Sequence, residues 1–499
     1  MKINFNELIA NLKSEDKGII FYDGSNRVKK SFSETYTDVK KCVSLLKDKA
    51  TSDDCALIFG NNCYEWAVYD LACIALGIKT IPVPNKETLL SKLDDSRVKV
   101  VITDYKKLET SLEVFDFNSY KDCEEATVTP YQYEEDETFS TIFTSGTTGV
   151  PKSIEVNKKS FDLLCSNGIE DFMISSNDKI IAFLPLSTYL QRVYIYMSII
   201  LKADVVISNA FMVFDHIKRE KPTIFIAIPY LYSSVEQNFM TAINKNKKGK
   251  RFLKLYSFLK KLGLMKRFKP FADVWGGNIR ILASGSSPLQ MTTYDFYEKM
   301  GIPIYQAYGM NEVGILTSNT PKHNKKGSVG RPCNGMKITI SDDEEIIVES
   351  EYSTNSEYGD GKAFAVDNKI HTNDLGHIDK DGFVFITGRK NNTIVLANGK
   401  KVMPETEESV LEKFQEVTNA LVYSEDKVSL KAVVSITEDS NEQELVKAFK
   451  GLQREGKLSS EIFAFEIIRE GFSSKNNLLT PNMKKNRKYK QSTTAELVS

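Results

Sequence analysis

Short apolar runs alternate with helix-period segments along the chain up to roughly Gly327, and this alternation constrains the fold more than any other feature. The runs CALIFG (Cys55–Gly60), KTIPVP, VKVVIT, KIIAFLPL, DVVIS, TIFIAIP, IRILASG and IPIYQAYG read as strands that are apolar on both faces. Such strands need cover above and below, which parallel sheets flanked by helices supply. Between them, Ser31–Lys47 reads as a helix with Val39, Cys42, Val43, Leu45 and Leu46 on one side. Tyr64–Ile78 reads as a second helix, ending at Gly77. Beyond Gly327 the texture changes. KITI, EIIVES, KIHTND and GHIDKDGFVFITG suggest a small antiparallel β region. GRKNNTIV (Gly388–Val395) then leads into an α+β module, with a helix from about Glu405 and a strand KAVVSI. No internal repeat is evident.

Composition narrows the function classes. The 499 residues allow about two to four domains and an ample core. Lys plus Arg equals Asp plus Glu at 66 each, which argues against a dedicated nucleic-acid binder. Seven cysteines without a CxxC pair, and only four histidines, read as reduced thiols in a cytosolic protein and against structural zinc. MKINFNELIANLKSEDKG lacks a signal-peptide apolar run, and Val193–Leu201 is too short to span a bilayer. The expectation is a cytoplasmic protein with at most peripheral membrane contact. Lysines and arginines crowd Lys245–Lys269, interleaved with Phe252, Leu253, Leu255, Phe258, Leu259 and Leu262. This reads as an amphipathic surface helix with a solvated basic face.

One stretch carries chemistry by its make-up. TIFTSGTTGVPKS (Thr141–Ser153) sets hydroxyls around Gly146 and Gly149, with Lys152 close behind. Glycines allow a tight turn and close approach, successive N–H groups can form an anion nest, and Thr144, Ser145, Thr147 and Thr148 add donors. It is not the Walker loop, because only Thr147 and Thr148 separate the glycines and Pro151 precedes Lys152. On these residues alone, a phosphate cradle and a loop without a ligand both stand.

Set beside the other segments, the stretch resembles the phosphate loop of the adenylate-forming superfamily: acyl-CoA synthetases, freestanding adenylation domains and luciferases. FTSGTTGVPK, LPLSTYLQRV, ASGSSPL, YQAYGMNE, GSVGRP, HTNDLGHIDKDGF and ITGRKNNTIVLANGKKVMPE occur in that family's order. The resemblance spans nearly the whole chain. It implies an α/β fold: a large N-terminal domain (1–389) of two helix-covered, mostly parallel sheets plus a small β-barrel, then a small mobile α+β domain (390–499). It implies an acid–thiol ligase that uses ATP and Mg²⁺ to make an acyl-AMP, releases pyrophosphate, and passes the acyl group to coenzyme A or the phosphopantetheine of an acyl carrier protein.

The resemblance also assigns roles. Thr144, Ser145, Gly146, Thr147, Thr148, Gly149 and Lys152 hold the phosphates. Gly285, Ser286 and Ser287 let adenine lie on backbone, and Tyr308 stacks on it. Glu312, with Thr144, holds Mg²⁺. Asp374 and Arg389 take the ribose, Asn391 is the hinge, and Gly399 borders the thiol tunnel. Lys484 in LTPNMKKNRK, with Arg487 three residues on, is the catalytic lysine, and Lys485 is the register alternative.

Several positions depart from the family. Asn311 replaces a threonine at the α-phosphate, Thr188 a histidine at the acyl site, and Asn373 a glycine before the ribose aspartate. The segment between Glu349 and His371 is short. A non-catalytic nucleotide binder is therefore an alternative. LPLSTYLQRVY lacks the acid that would pair with an amino-acid substrate. Gly309 stands where short-chain enzymes place a tryptophan, which leaves an acyl tunnel open. The resemblance thus favours a medium- or long-chain fatty acid, with an aryl or other biosynthetic acid as the alternative.

Overall fold

The computed structural model describes residues 3–144, 152–245, 247–350, 365–366, 369–480, 485–487 and 489. Two large sheets carry the apolar runs. The six-stranded sheet runs Glu113–Phe115, Val98–Thr103, Cys55–Phe59, Lys79–Pro82, Thr138–Thr144 and Lys152–Asn157. All neighbouring pairs are parallel except the last, an antiparallel rung with Thr144 opposite Lys152. The nine-stranded sheet runs Arg331–Pro332, Gly314–Ser318, Ile304–Met310, Ile281–Ser284, Ile224–Ala227, Lys179–Ala182, Asp204–Ile207, Gly18–Asp23 and Asn26–Ser31. Its interior is parallel, and antiparallel strands close both edges.

The helices form where the apolar period places them. Phe32–Leu46 starts in a reciprocal capping box, Ser31 with Glu34, which satisfies two otherwise unpaired N–H groups. Tyr64–Leu76 is buried nearly all round and stops at Gly77, whose φ of 78° suits glycine. This helix and Tyr189–Leu201 lie in the core shared by the two sheets. There the fully buried Arg192 meets Asp70 at 3.4 Å, and Tyr196 Oη donates to the same carboxylate. The pair also reaches the six-stranded sheet, through Arg192 Nη1 to Thr80 Oγ1 at 3.4 Å.

The antiparallel region is a half-barrel of Met336–Ile340, Glu345–Ser350, Lys369–Ile378, Ala365–Val366 and Val384–Arg389. Beyond it, Val417–Tyr423, Leu430–Ile436 and Ile462–Ile468 form a three-stranded sheet with helices Pro404–Leu411 and Glu442–Arg454. These elements gather an apolar core of their own around Leu411, Val434, Phe449 and Phe465.

Candidate active site

In open α/β sheets, ligands gather beyond the carboxyl ends of parallel strands. Three sequence-selected segments begin there. Thr144 ends its strand, Gly285 follows Ser284, and Asn311 follows Met310. Ser145, Gly146, Thr147, Thr148 and Gly149 lie outside the described residues, and of Thr144 only the backbone is described. Lys152 faces Thr144 across the antiparallel rung.

The second and third segments are neighbours. Ser284 pairs with Gln306, two residues before Tyr308. Ser286 adopts φ 72°, a left-handed turn, just past Gly285. A Cβ on Gly285 would lie 3.4 Å from the Ala307 carbonyl oxygen, so the turn runs close over the Tyr308 strand. Ser287 follows it and is exposed. Ser284 Oγ is buried and has no hydrogen-bond partner among the described residues. Such a hydroxyl is a site feature that sequence reading passed over, since nothing distinguishes Ser284 from the serines after it.

The half-barrel brings two further sequence-selected residues, Asp374 and Arg389, to Tyr308. Asp374 sits opposite Arg389 on adjacent strands. Tyr308 Oη donates to Asp374 Oδ2 at 2.6 Å, and Arg389 Nε donates to Oδ1 at 2.6 Å. Burial, then the Asp374 charge, pushes the Tyr308 phenol far up, so it stays a donor. Each carboxylate oxygen of Asp374 keeps a second lone pair for a further donor. Asn373, the departure from glycine, has φ 59°. Asparagine tolerates this region better than other side-chain-bearing residues, so the substitution preserves the turn.

That turn is held by Glu345, which sequence reading missed. Its buried carboxylate accepts from Asn373 N–H at 2.9 Å and from Lys390 Nζ at 3.0 Å, and lies 3.3 Å from His371 Nδ1. Burial works to raise this carboxyl, but the bonds from Lys390, Asn373 and His371 win and hold it below its usual value. In the string SDDEEI it looks like part of a solvated acidic run.

Asn311 and the half-buried Glu312 occupy the tight connection between Ile304–Met310 and Gly314–Ser318. Gly309 has a backbone reason to be glycine. A Cβ there would lie 2.3 Å from the Gly314 carbonyl oxygen, at a register shift between the two strands. The residue is thus explained without reference to an acyl tunnel. Thr188 is exposed at the start of helix Tyr189–Leu201. Its lead-in is fixed by Gln191 Oε1, which accepts from Phe183 and Leu184 N–H at 2.8 and 3.1 Å. Asn62 adds bonds to Leu184, Leu186 and Ser208. The partners of Asn62 are 122 to 146 positions away in sequence, so no local pattern marks it.

Past Arg389, Asn391 is exposed in the single 3₁₀ turn Lys390–Asn392. Gly399 lies in the exposed turn between Ile394–Val395 and Lys401–Val402, with φ 82° and open space where a Cβ would stand. Lys484 lies outside the described residues. The register alternative, Lys485, pairs with Glu408 at 2.9 Å and Glu412 at 2.8 Å, and Arg487 pairs with Glu408 and, at 3.1 Å, with Glu405. Lys485 is thus occupied in an ion-pair cluster on helix Pro404–Leu411. Among the described residues no group of three or more His, Cys, Asp or Glu could hold a metal.

Known proteins resemble this chain in sequence and in fold. A family model described as AMP-binding enzyme matches residues 10–351. The long-chain-fatty-acid–CoA ligase FadD15 of Mycobacterium bovis is 25% identical over 87% of this chain and 86% of that protein. A 2-succinylbenzoate–CoA ligase of Oceanobacillus iheyensis is 25% identical over 82% of this chain and 84% of that protein. Among solved structures, the O-succinylbenzoate coenzyme A synthetase of Bacillus subtilis in complex with AMP superposes with a TM-score of 0.76, at 22% identity over 99% of both chains.

Proposed function

The chain belongs to the AMP-binding enzyme family, and from that premise we propose that it is an ATP-dependent acid–thiol ligase whose acid is a medium- or long-chain fatty acid. A carboxylate attacks the α-phosphorus of ATP to give acyl-AMP and pyrophosphate. The coenzyme A thiol then attacks the acyl carbonyl, and AMP leaves.

The observation that carries the reading is the junction of Tyr308, Asp374 and Arg389 beside the Gly285–Ser287 turn. Asp374 accepts from the ribose hydroxyls, Arg389 donates to the same sugar, and adenine lies between Tyr308 and the turn. Thr144 to Lys152 position the phosphates, where neutral donors hold pyrophosphate without trapping it. Mg²⁺ binds through few carboxylates plus phosphate oxygens, which suits the single Glu312 beside the site, with Thr144 as a second ligand. When bound it neutralises charge on the phosphates. Lys484 bridges the carboxylate and α-phosphate oxygens. Residues 390–499 form the second domain and turn about Asn391 between half-reactions, which brings Gly399 to the thiol path.

The fatty-acid preference is supported by the ligase relative from Mycobacterium bovis and by the lack of an acid in Leu184–Tyr194. An aryl acid is the second reading, favoured by the 2-succinylbenzoate–CoA ligase relative. Pyrophosphate release across a panel of carboxylic acids, followed by acyl transfer to coenzyme A or a carrier protein, tests both. Fatty acids of medium and long chain should support release. Release only with aryl acids establishes the second reading, and ATP binding without release for any acid makes the chain a non-catalytic nucleotide binder.

A further inference from the structure

Helix Lys247–Lys261 and the turn after it expose large apolar side chains in one short stretch: Phe252 (47%), Leu255 (51%), Phe258 (59%), Leu262 (56%) and Leu264 (70%). At 3.6 residues per turn, Phe252, Leu255, Phe258 and Leu262 fall on one flank. The opposite flank is anchored to the protein. Tyr256 is buried, packs at a tilt against Phe268 at 4.8 Å, a ring that the half-exposed Phe252 also reaches at 5.5 Å, and donates to the Lys299 carbonyl at 3.1 Å. Lys260 Nζ donates to the carbonyls of Glu298 and Lys299 at 2.5 and 3.0 Å, at the end of helix Met291–Met300. Lys260 is therefore a helix cap and not part of a solvated basic face. The exposed stripe cannot turn inward without breaking these bonds.

Beside the stripe stand Lys247, Lys250, Arg251, Lys254 and Lys261, all exposed. None of these five makes an ion pair among the described residues, and no Asp or Glu occurs between Lys245 and Lys269. The chain as a whole is charge-balanced, so the positive charge is concentrated here. Contiguous exposed apolar surface marks an interaction site. An acidic protein would complement the charges but leave the apolar stripe unexplained. An anionic membrane surface complements both, with apolar side chains at the headgroup–acyl boundary and lysines at lipid phosphates. No described helix is long and apolar enough to cross a membrane, so the contact lies in the plane of the surface.

We propose that the Lys247–Leu264 segment seats this protein on anionic lipid bilayers. The proposal is independent of the acid it activates, because lipid binding is read without ATP or substrate. The test is co-sedimentation of the full chain with vesicles of phosphatidylcholine alone or with about one-third phosphatidylglycerol, the anionic fraction that the basic residues would sense. The protein should bind only the anionic vesicles, and binding should fall as salt rises. The K254E/K261E variant should lose at least about tenfold in partitioning. The L255S/F258S/L262S variant should lose a similar factor, with an unchanged melting midpoint in both. No binding of the parent at low salt overturns the proposal, as does binding that neither variant weakens. A concentration-dependent dimer abolished by the serine variant would give the face to a second copy. Binding to an acidic carrier protein lost on charge reversal, with vesicle binding intact, would give it to that protein.

Discussion

The two ends of the candidate site are built differently. At the end proposed for the nucleotide, Tyr308, Asp374 and Arg389 are joined by short charge-assisted bonds, and Glu345 fixes the turn that presents Asp374. These bonds restrain the side chains they join, and restrained groups have less freedom to lose on binding. Beyond Arg389, the two residues that the resemblance assigns to the change between half-reactions, Asn391 and Gly399, are exposed turn positions, and Gly399 has open space where a Cβ would stand. Elements that move in function are drawn from such weakly anchored segments. On the proposed function, the bonded side chains lie where a ligand would be gripped and the exposed turns lie where the chain would turn. Within the second unit, rigidity returns at Glu408, which ties Lys485 and Arg487 down beside Lys484 in sequence.

The sharpest way to break the contrast is at Glu408. It is fully buried; burial works to raise its carboxyl, but Lys485 and Arg487 hold it below the usual range. Glu408→Ala removes the buried carboxylate that Lys485 and Arg487 share, leaving them only Glu412 and Glu405, and should cost about 3 kcal/mol in the unit that contains it. Thermal or urea unfolding of the full chain reads this as an early transition of the C-terminal unit, with ATP binding retained. A single unshifted transition would mean that the cluster contributes nothing.

Glu345→Gln should have a smaller effect, about 2 kcal/mol, the size of hydrogen bonds to a charged group. Its dependence on pH has a definite sign. A carboxyl lowered in the folded state adds stability above its unfolded value, near pH 4.3, and loses it as pH falls through the lowered folded value. The groups facing it are Lys390, His371 and, through Lys390, Asp343. The difference between parent and variant should be full at pH 7 and shrink below about pH 4. A difference that is constant from pH 7 to pH 3 would contradict the ion-paired state. The variant should also raise KM for ATP more than it lowers kcat, because it loosens Asp374.

Asn373 should be the mildest position. Asn373→Gly keeps the left-handed turn and should change stability by less than about 1 kcal/mol. Asn373→Val forces a branched residue to positive φ and should cost about 1–3 kcal/mol. Equal melting midpoints for the two would show that the turn is not held as described.

Much of the fold was legible because apolar alternation and helix period are local signals. The parallel strands, the helix ending at Gly77 and the antiparallel region after Gly327 follow from them. The ordered motifs also led to Tyr308, Asp374 and Arg389, which the structure joins. What escaped were residues whose role depends on distant partners. Glu345 lies in what reads as a solvated acidic run, and its partners are about 30 to 45 positions away. In LTPNMKKNRK nothing local shows that Lys485 and Arg487 pair with a buried glutamate about 75 to 80 positions earlier. Gly309 suggested pocket space, whereas the approach of the Gly314 backbone already demands glycine. Around Lys260, composition suggested a solvated face and could not show that this lysine caps a neighbouring helix or that the apolar flank is uncovered.

On the proposed function, one grip on the nucleotide serves two half-reactions while the second unit turns. The most direct measurement times each half-reaction separately in two variants. Lys484→Ala should lower acyl-AMP formation from ATP and acid by about 10²–10³-fold, the loss of one transition-state donor, and leave thioester formation from added acyl-AMP intact. Gly399→Leu should do the reverse, since its side chain would stand in the thiol path. If the two variants damage both half-reactions equally, the two-unit account is contradicted, and Lys484 is not the adenylation lysine.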